Sequence, residues 1–265
     1  MDLQKRYDKT HAALKAHNQE HLLSFWPELD DKQKQSLLDQ IDALDLAAVD
    51  SWVSEYVRSA TVAHVPSRVE PAPAYPVVPA TAQMRKKYEQ ARERGRQLIS
   101  DGKVAALVVA GGQGTRLGYN GPKGNFPISP VRNKTLFQLF AEQIAAASRK
   151  YRCKLPWYIM TSPLNRQATE EIFAQNEWFG LPREDVFIFQ QGTMPNFSFD
   201  GKMLLDDKCT ISQSPNGHGG TVKALADSGA LADMHTRGVE LISYFQVDNP
   251  LIKIFDPLFI GLHDA

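Results

Sequence analysis

Apolar positions change their spacing twice along this chain. Up to about residue 60 they recur at helical intervals. Leu22, Leu23, Phe25 and Trp26 form a cluster, and Leu37, Leu38, Ile41, Leu44 and Leu46 follow near the three-to-four-residue period of a buried helix face. Asp45 or Asp50 stands where it can cap a further helix carrying Trp52, Val53 and Val57. The pattern then stops at VPSRVEPAPAYPVVPA, residues 65–80, which holds five prolines. Proline removes backbone donors and disfavours helix at the residue before it, so this stretch reads as an extended connector. Its Val69, Tyr75, Val77 and Val78 are expected to bury against the domain that follows. A basic helix is expected from Thr81 to about Ser100.

Beyond residue 100 continuous apolar runs of strand length alternate with amphipathic segments. VAALVVA (104–110), WYIMTS (157–162), DVFIFQQG (185–192) and VELISYFQVDN (239–249) read as strands, the first two covered on both faces. Between them TLFQLFAEQIAAASRKY, NRQATEEIFAQNEWFG and GGTVKALADSGALADMHTRG read as helices, the second ending at Gly180. A hairpin fits MLLDDKCTIS, residues 203–212. Alternating strands and helices predict an α/β fold with a parallel, Rossmann-like nucleotide-binding sheet. The organisation expected is a small helical N-terminal region over residues 1–64, the connector over 65–80 and the α/β domain over 81–265.

Composition narrows the function. The 265 residues are 43% hydrophobic and 23% charged, with 30 basic and 30 acidic side chains, so no global charge points to nucleic acid or to a membrane surface. Residues 1–80 carry 8 Lys and Arg against 12 Asp and Glu; the rest carry 22 against 18, which mildly favours an anionic ligand in the second part. Two cysteines, Cys153 and Cys209, lack metal-site spacing and fit a reducing cytoplasm. No run approaches the ~20 apolar residues of a membrane span, and the N-terminus lacks the apolar core of a signal peptide.

The candidate chemistry lies in LVVAGGQGTRLGYNGPKGNFPIS, Leu107–Ser129, with six glycines, Arg116 and Lys123. Bare backbone lets a ligand approach main-chain N–H groups, and successive free N–H groups bind anions. It is not a Walker A loop, because Lys123 follows Pro122 and precedes Gly124 rather than Ser or Thr. Nor is it the dinucleotide fingerprint, since Gly112, Gly114 and Gly118 are spaced one residue too widely. A plain strand-to-helix crossover, typically ~2–6 residues, needs no such loop.

The loop, with Pro122–Lys123–Gly124, resembles the signature of the eukaryotic-type UDP-sugar pyrophosphorylases, which join UTP to a sugar 1-phosphate. The resemblance continues in order through KTLFQLFAEQI, WYIMTS, FGL, FIFQQGTMPNFSFDGKMLL, SPNGHGG and VDNPLIKIFDPLFIG. It covers roughly residues 100–262 and is nearest in wording to the branch that makes UDP-N-acetylglucosamine. It implies a sheet of the nucleotide-diphospho-sugar transferase type, a Mg²⁺ cofactor, and UTP and a sugar 1-phosphate, N-acetylglucosamine 1-phosphate first, as partners.

The resemblance also implies roles. Gly111 and Gly112 meet the uridine, the loop with Gly114 and Thr115 wraps the phosphates, and Arg116 and Lys123 are the catalytic cations that neutralise charge as pyrophosphate departs. Gln191, before Gln190, reads the uracil edge, an amide offering both donor and acceptor. Gly217 and His218 contact base and ribose at a glycine-rich helix entry. That branch usually carries asparagine after this glycine, whereas UDP-glucose pyrophosphorylases carry histidine, so glucose 1-phosphate or several sugars form the alternative substrate. Asp248, at the end of a core strand, is the expected Mg²⁺ ligand, since Mg²⁺ takes few carboxylates, phosphate oxygens and water.

The remaining alternatives are bland or rival. HNQEH, His17–His21, matches a short zinc pattern but supplies no third ligand, and a solvated helix face is expected. A glycosyltransferase also reads UDP near an Asp-bearing strand end, but without such a glycine loop. The family continues well past the point where this sequence stops, so a fragment is expected, and with it a nucleotide-binding remnant without turnover as a further alternative.

Overall fold

The computed structural model describes residues 3–59 and 68–265; the start of the connector, residues 65–67, lies outside them. Two compact units emerge, and their boundary differs from the expected one. Residues 193–214 belong with the N-terminal unit and not with the α/β unit. The reason is packing: Met203 and Ile211, on the hairpin, are 1% and 2% exposed and sit in the same apolar cluster as Leu14, Leu22, Leu37 and Ile41.

In the N-terminal unit α1 (Leu3–Ala16), α2 (Asp31–Asp42) and α3 (Leu46–Trp52) surround that core. Asp30 caps α2 through a full capping box with Gln33, and Asp45 caps α3 by accepting from the Ala48 N–H. Asp45 is therefore the capping residue of the two expected candidates.

The α/β unit begins with α4 (Ala82–Ser100), capped by Thr81, and β1 (Val104–Val109). It continues through α5 (Leu136–Tyr151), β2 (Trp157–Thr161), α6 (Arg166–Gln175) and β3 (Val186–Gln190). The chain then contributes short strands β4 (Thr193–Pro195), β5 (Leu205–Asp207), β6 (Thr210–Ile211) and β7 (Gln213–Pro215), where β5 and β6 form the expected hairpin and β4 pairs with β7. It returns with α7 (Thr221–Asp227), α8 (Ala230–Thr236), β8 (Leu241–Gln246) and α9 (Pro257–Asp264).

The main sheet runs β3-β2-β1-β8, all parallel, with Leu107 opposite both Tyr158 and Tyr244. Side chains alternate across a strand, so β1 supplies two cores. Ala106 and Val108 face Phe137, Phe140, Trp157 and Phe173 under α5 and α6; Ala105 and Leu107 face Tyr158, Met160, Leu225 and Met234 under α7 and α8. α4 and α9 touch backbone to backbone: a Cβ on Gly95 would fall 1.9 Å from the Pro257 carbonyl oxygen, and one on Gly261 1.7 Å from that of Ala91.

Three expectations are corrected. The second helix stops at Gln175, because Glu177, Trp178 and Phe179 adopt left-handed φ of 49°, 55° and 53° that turn both rings back onto Phe173. The last predicted helix is two, broken where Gly229 takes φ 80°. The connector buries little: Val69, Val77 and Val78 are 75%, 97% and 76% exposed. Polar contacts hold it instead, Tyr88 donating to the Pro76 carbonyl at 2.6 Å and Lys87 to the Tyr75 hydroxyl at 2.7 Å.

Candidate active site

In an open α/β sheet, ligands bind outside the carboxyl ends of the strands where the strand order reverses. Here the reversal lies between β1 and β8. A cavity of about 280 Å³ sits at that point, lined by Val109, Gly111 and Gly112 from the end of β1, and by Gln246, Val247 and Asp248 from the end of β8. A larger groove of about 990 Å³, near Tyr75, Phe255 and Leu258, takes none of its lining from β1 or β8.

The loop after β1 folds back on itself. Lys123 N–H donates to the Gly112 carbonyl at 3.0 Å and Gly114 N–H to that of Gly121 at 2.9 Å. This return brings the Lys123 side chain over Gly112, with Cε and Nζ 3.6 and 3.7 Å from where a Gly112 Cβ would stand. Lys123 Nζ reaches Asp248 Oδ2 at 3.4 Å. The lysine side chain is 18% exposed and the aspartate 55%.

Gly124 makes that placement possible, because a Cβ there would fall 2.1 Å from Phe137 Cζ. Phe137 is fully buried between Trp157 and Phe173 and has no room to yield. Gly124→Ala is therefore expected to destabilise the α/β unit by about 1–3 kcal/mol, the range for overpacking. That is about 2–4 °C in Tm per kcal/mol. An unchanged thermal midpoint would refute this packing.

Of the ten site residues expected from sequence, Gly111, Gly112, Lys123, Gln191, Gly217, His218 and Asp248 converge on the cavity. Gln191 is 6% exposed and turns its Nε2 toward Gly111, where a Cβ would come within 2.7 Å of it. Gln190 ends β3 and is not on the lining. Gly114, Thr115 and Arg116 are not on the lining either. Gly114 is buried under Tyr119, and Thr115 and Arg116 lie on an exposed single turn, Thr115–Leu117. Gly217–Gly220 forms a 3₁₀ turn ahead of α7, so the segment enters α7 through that turn.

Two residues at the site gave no sequence signal. Tyr244 hydrogen-bonds His218 Nδ1 from β8, their rings 5.9 Å apart and at 69°. Asn165, fully buried, bonds the main chain on both sides of Gly111. The histidine pair of HNQEH goes elsewhere: α1 ends at Ala16, His17 Nδ1 meets Asp50 at 2.7 Å and His21 Nε2 donates to the Met203 carbonyl. Among the described residues no three His, Cys, Asp or Glu side chains gather as a metal site, and no helix is long and apolar enough to cross a membrane.

Comparison with known proteins shows the family of the chain. A family model described as UTP–glucose-1-phosphate uridylyltransferase matches residues 50–263. The chain belongs to this family. Among its relatives, the human UDP-N-acetylhexosamine pyrophosphorylase-like protein 1 is 37% identical over 261 residues, 94% of this chain and 52% of that one. The UDP-N-acetylglucosamine diphosphorylase 2 of Arabidopsis thaliana is 35% identical over 261 residues, 94% of this chain and 51% of its own length. The chain thus spans about half the length of these curated relatives. The uridine diphosphate N-acetylglucosamine pyrophosphorylase of Trypanosoma brucei shares the fold, with a TM-score of 0.75, 24% identity, and 99% of this chain and 54% of that one covered.

Proposed function

We propose that this chain forms the nucleotide-binding part of a uridylyltransferase that joins UTP and N-acetylglucosamine 1-phosphate into UDP-N-acetylglucosamine and pyrophosphate. The observation that carries it is the meeting of Lys123 and Asp248, 3.4 Å apart, beside Gly112 at the strand-order reversal. A cation, a carboxylate and bare backbone in one cavity suit a triphosphate with its counter-ion.

An oxygen of the sugar phosphate attacks the α-phosphorus of UTP in line, the α–β P–O bond breaks, and its electron pair leaves with pyrophosphate. Gln191 offers both a donor and an acceptor to the uracil edge. Gly111 and Gly112 admit the nucleotide close to the main chain. Lys123 leaves Asp248 and neutralises the phosphates whose charge grows as the bond breaks. Arg116, on the exposed turn Thr115–Leu117, would serve the same charge. Asp248 is a half-exposed carboxylate that belongs to no cluster of His, Cys, Asp or Glu among the described residues, which fits Mg²⁺ that draws its other ligands from phosphate and water. Mg²⁺ held there would supply Lewis-acid polarisation of the α-phosphate. His218 favours glucose 1-phosphate as a second substrate reading. Both cysteines are free, as fits the cytoplasm.

Gly112→Val tests the cavity. A Cβ at residue 112 meets only the end of the flexible Lys123 side chain, at ordinary contact distance, so the fold should stand while UTP binding falls below detection by calorimetry. Unchanged affinity for UTP with Mg²⁺ would remove the loop from the site. Pyrophosphate release from UTP with a panel of sugar 1-phosphates decides the sugar.

A further inference from the structure

We infer that Asn165 is a positioning residue for the nucleotide: its buried carboxamide sets the main-chain orientation of Gly111 and Gly112. This rests on the reading of the cavity as a UTP site. Asn165 lies between β2 and α6 and is 0% exposed. Its Nδ2 donates to the carbonyl of Ala110 at 2.9 Å and to that of Gly112 at 3.3 Å. Its Oδ1 accepts from the Ser162 N–H at 2.8 Å and from the Ser162 hydroxyl at 3.1 Å.

Both carbonyls flanking Gly111 are therefore turned inward to one side chain. In a planar trans peptide the N–H that follows a carbonyl points the opposite way. Holding carbonyls 110 and 112 inward turns the N–H groups of Gly111 and Gln113 away from the buried amide, leaving them for a ligand. Glycine adopts many backbone conformations, so two adjacent glycines do not fix this orientation by themselves. An external clamp is required, and it must donate two hydrogen bonds while accepting others. Of the side chains of this size only asparagine does both. Aspartate would set carboxylate oxygens against two carbonyl oxygens; leucine would leave the Ala110 carbonyl unsatisfied and the Gly112 carbonyl held by the Lys123 N–H alone.

The support behind the clamp is itself buried. Ser162 is 1% exposed, and the Thr169 hydroxyl donates to the Asn165 carbonyl at 2.7 Å. The Ser162 main chain also lies 3.3 Å from the position of a Gly111 Cβ. The same group that orients the glycine turn thus closes off one side of it.

The test compares wild type, Asn165→Asp and Asn165→Ser by UTP–Mg²⁺ calorimetry, thermal midpoint and amide hydrogen exchange without ligand. Serine suits the start of α6, so this variant should fold even where the aspartate does not. Expected are Kd values raised roughly ten- to a hundredfold, the scale of one or two misaligned hydrogen bonds to a charged ligand. Exchange should quicken at residues 111–114 while the remaining sheet keeps its protection. Wild-type affinity in Asn165→Ser overturns the proposal, as does a loss accompanied by uniformly faster exchange, which marks a merely structural residue. Failure of the wild type to bind UTP instead overturns the function on which it rests, and the altered exchange at 111–114 would still report the clamp on the loop.

Discussion

Lys123→Ala is expected to lower turnover by roughly 10²–10³-fold, the range for removing one group that meets developing charge. Affinity for the UDP-sugar should fall far less. The lysine faces the phosphates that leave as pyrophosphate, and the product nucleotide carries only part of that charge. The fold should persist. The main chain of the loop is held by the Gly112 carbonyl and not by the lysine head. The ion pair lost with Asp248 joins a carboxylate that is 55% exposed, and such pairs contribute about 0–1 kcal/mol. Pyrophosphate release at saturating substrates, set beside calorimetry with UDP-N-acetylglucosamine, measures both. Equal losses in the two would make Lys123 a general anchor and end its role in the bond-breaking step.

Asp248→Asn should act differently. The amide keeps the shape and loses the charge, so the protein stays folded while the Mg²⁺ concentration needed for half-maximal turnover rises. At physiological Mg²⁺ a drop of roughly 10²–10³-fold is expected. A bound metal supplies several kcal/mol of charge stabilisation, and each 1.36 kcal/mol is tenfold in rate. In the wild type Lys123 already neutralises this carboxylate. Nucleotide binding should therefore separate the pair, and metal affinity without UTP should be weak in wild type and mutant alike. Wild-type Mg²⁺ dependence in Asp248→Asn would sink the assignment.

The strands, the site loop and the two ends of the site were legible because each rests on local physics. VAALVVA can only be a strand covered on both faces, and it is. Gly111, Gly112 and Lys123 were legible through the resemblance of their loop to a known family, and Asp248 also through its place at a strand end. What stayed hidden depends on contacts distant in sequence. Asn165 reads as an ordinary loop residue; its partners at Ala110 and Gly112 are more than 50 residues away. Tyr244 looks like one more apolar position of a strand, yet it lies half exposed beside His218. The left-handed run Glu177–Phe179 defeats periodicity, because nothing in EWFG departs from a helical pattern and the pull comes from Phe173. The connector failed for the opposite reason: apolar residues were read as buried, although proline-fixed backbone leaves several of them facing water.

The mixed ownership of residues 193–214 sets a timetable for synthesis. The N-terminal core includes Leu14, Leu37 and Val53 early in the chain and Met203 and Ile211 far later. At about 5–20 residues per second, the ribosome needs roughly 8–30 s to travel from Val53 to Ile211. Through that interval the first helices exist with part of their apolar surface uncovered, while β1, β2 and β3 are already emerging. The last piece to leave the ribosome for the N-terminal unit is thus a hairpin made after three strands of another unit. In a cell, the vulnerable species is a nascent chain whose oldest segment is the one still waiting to finish.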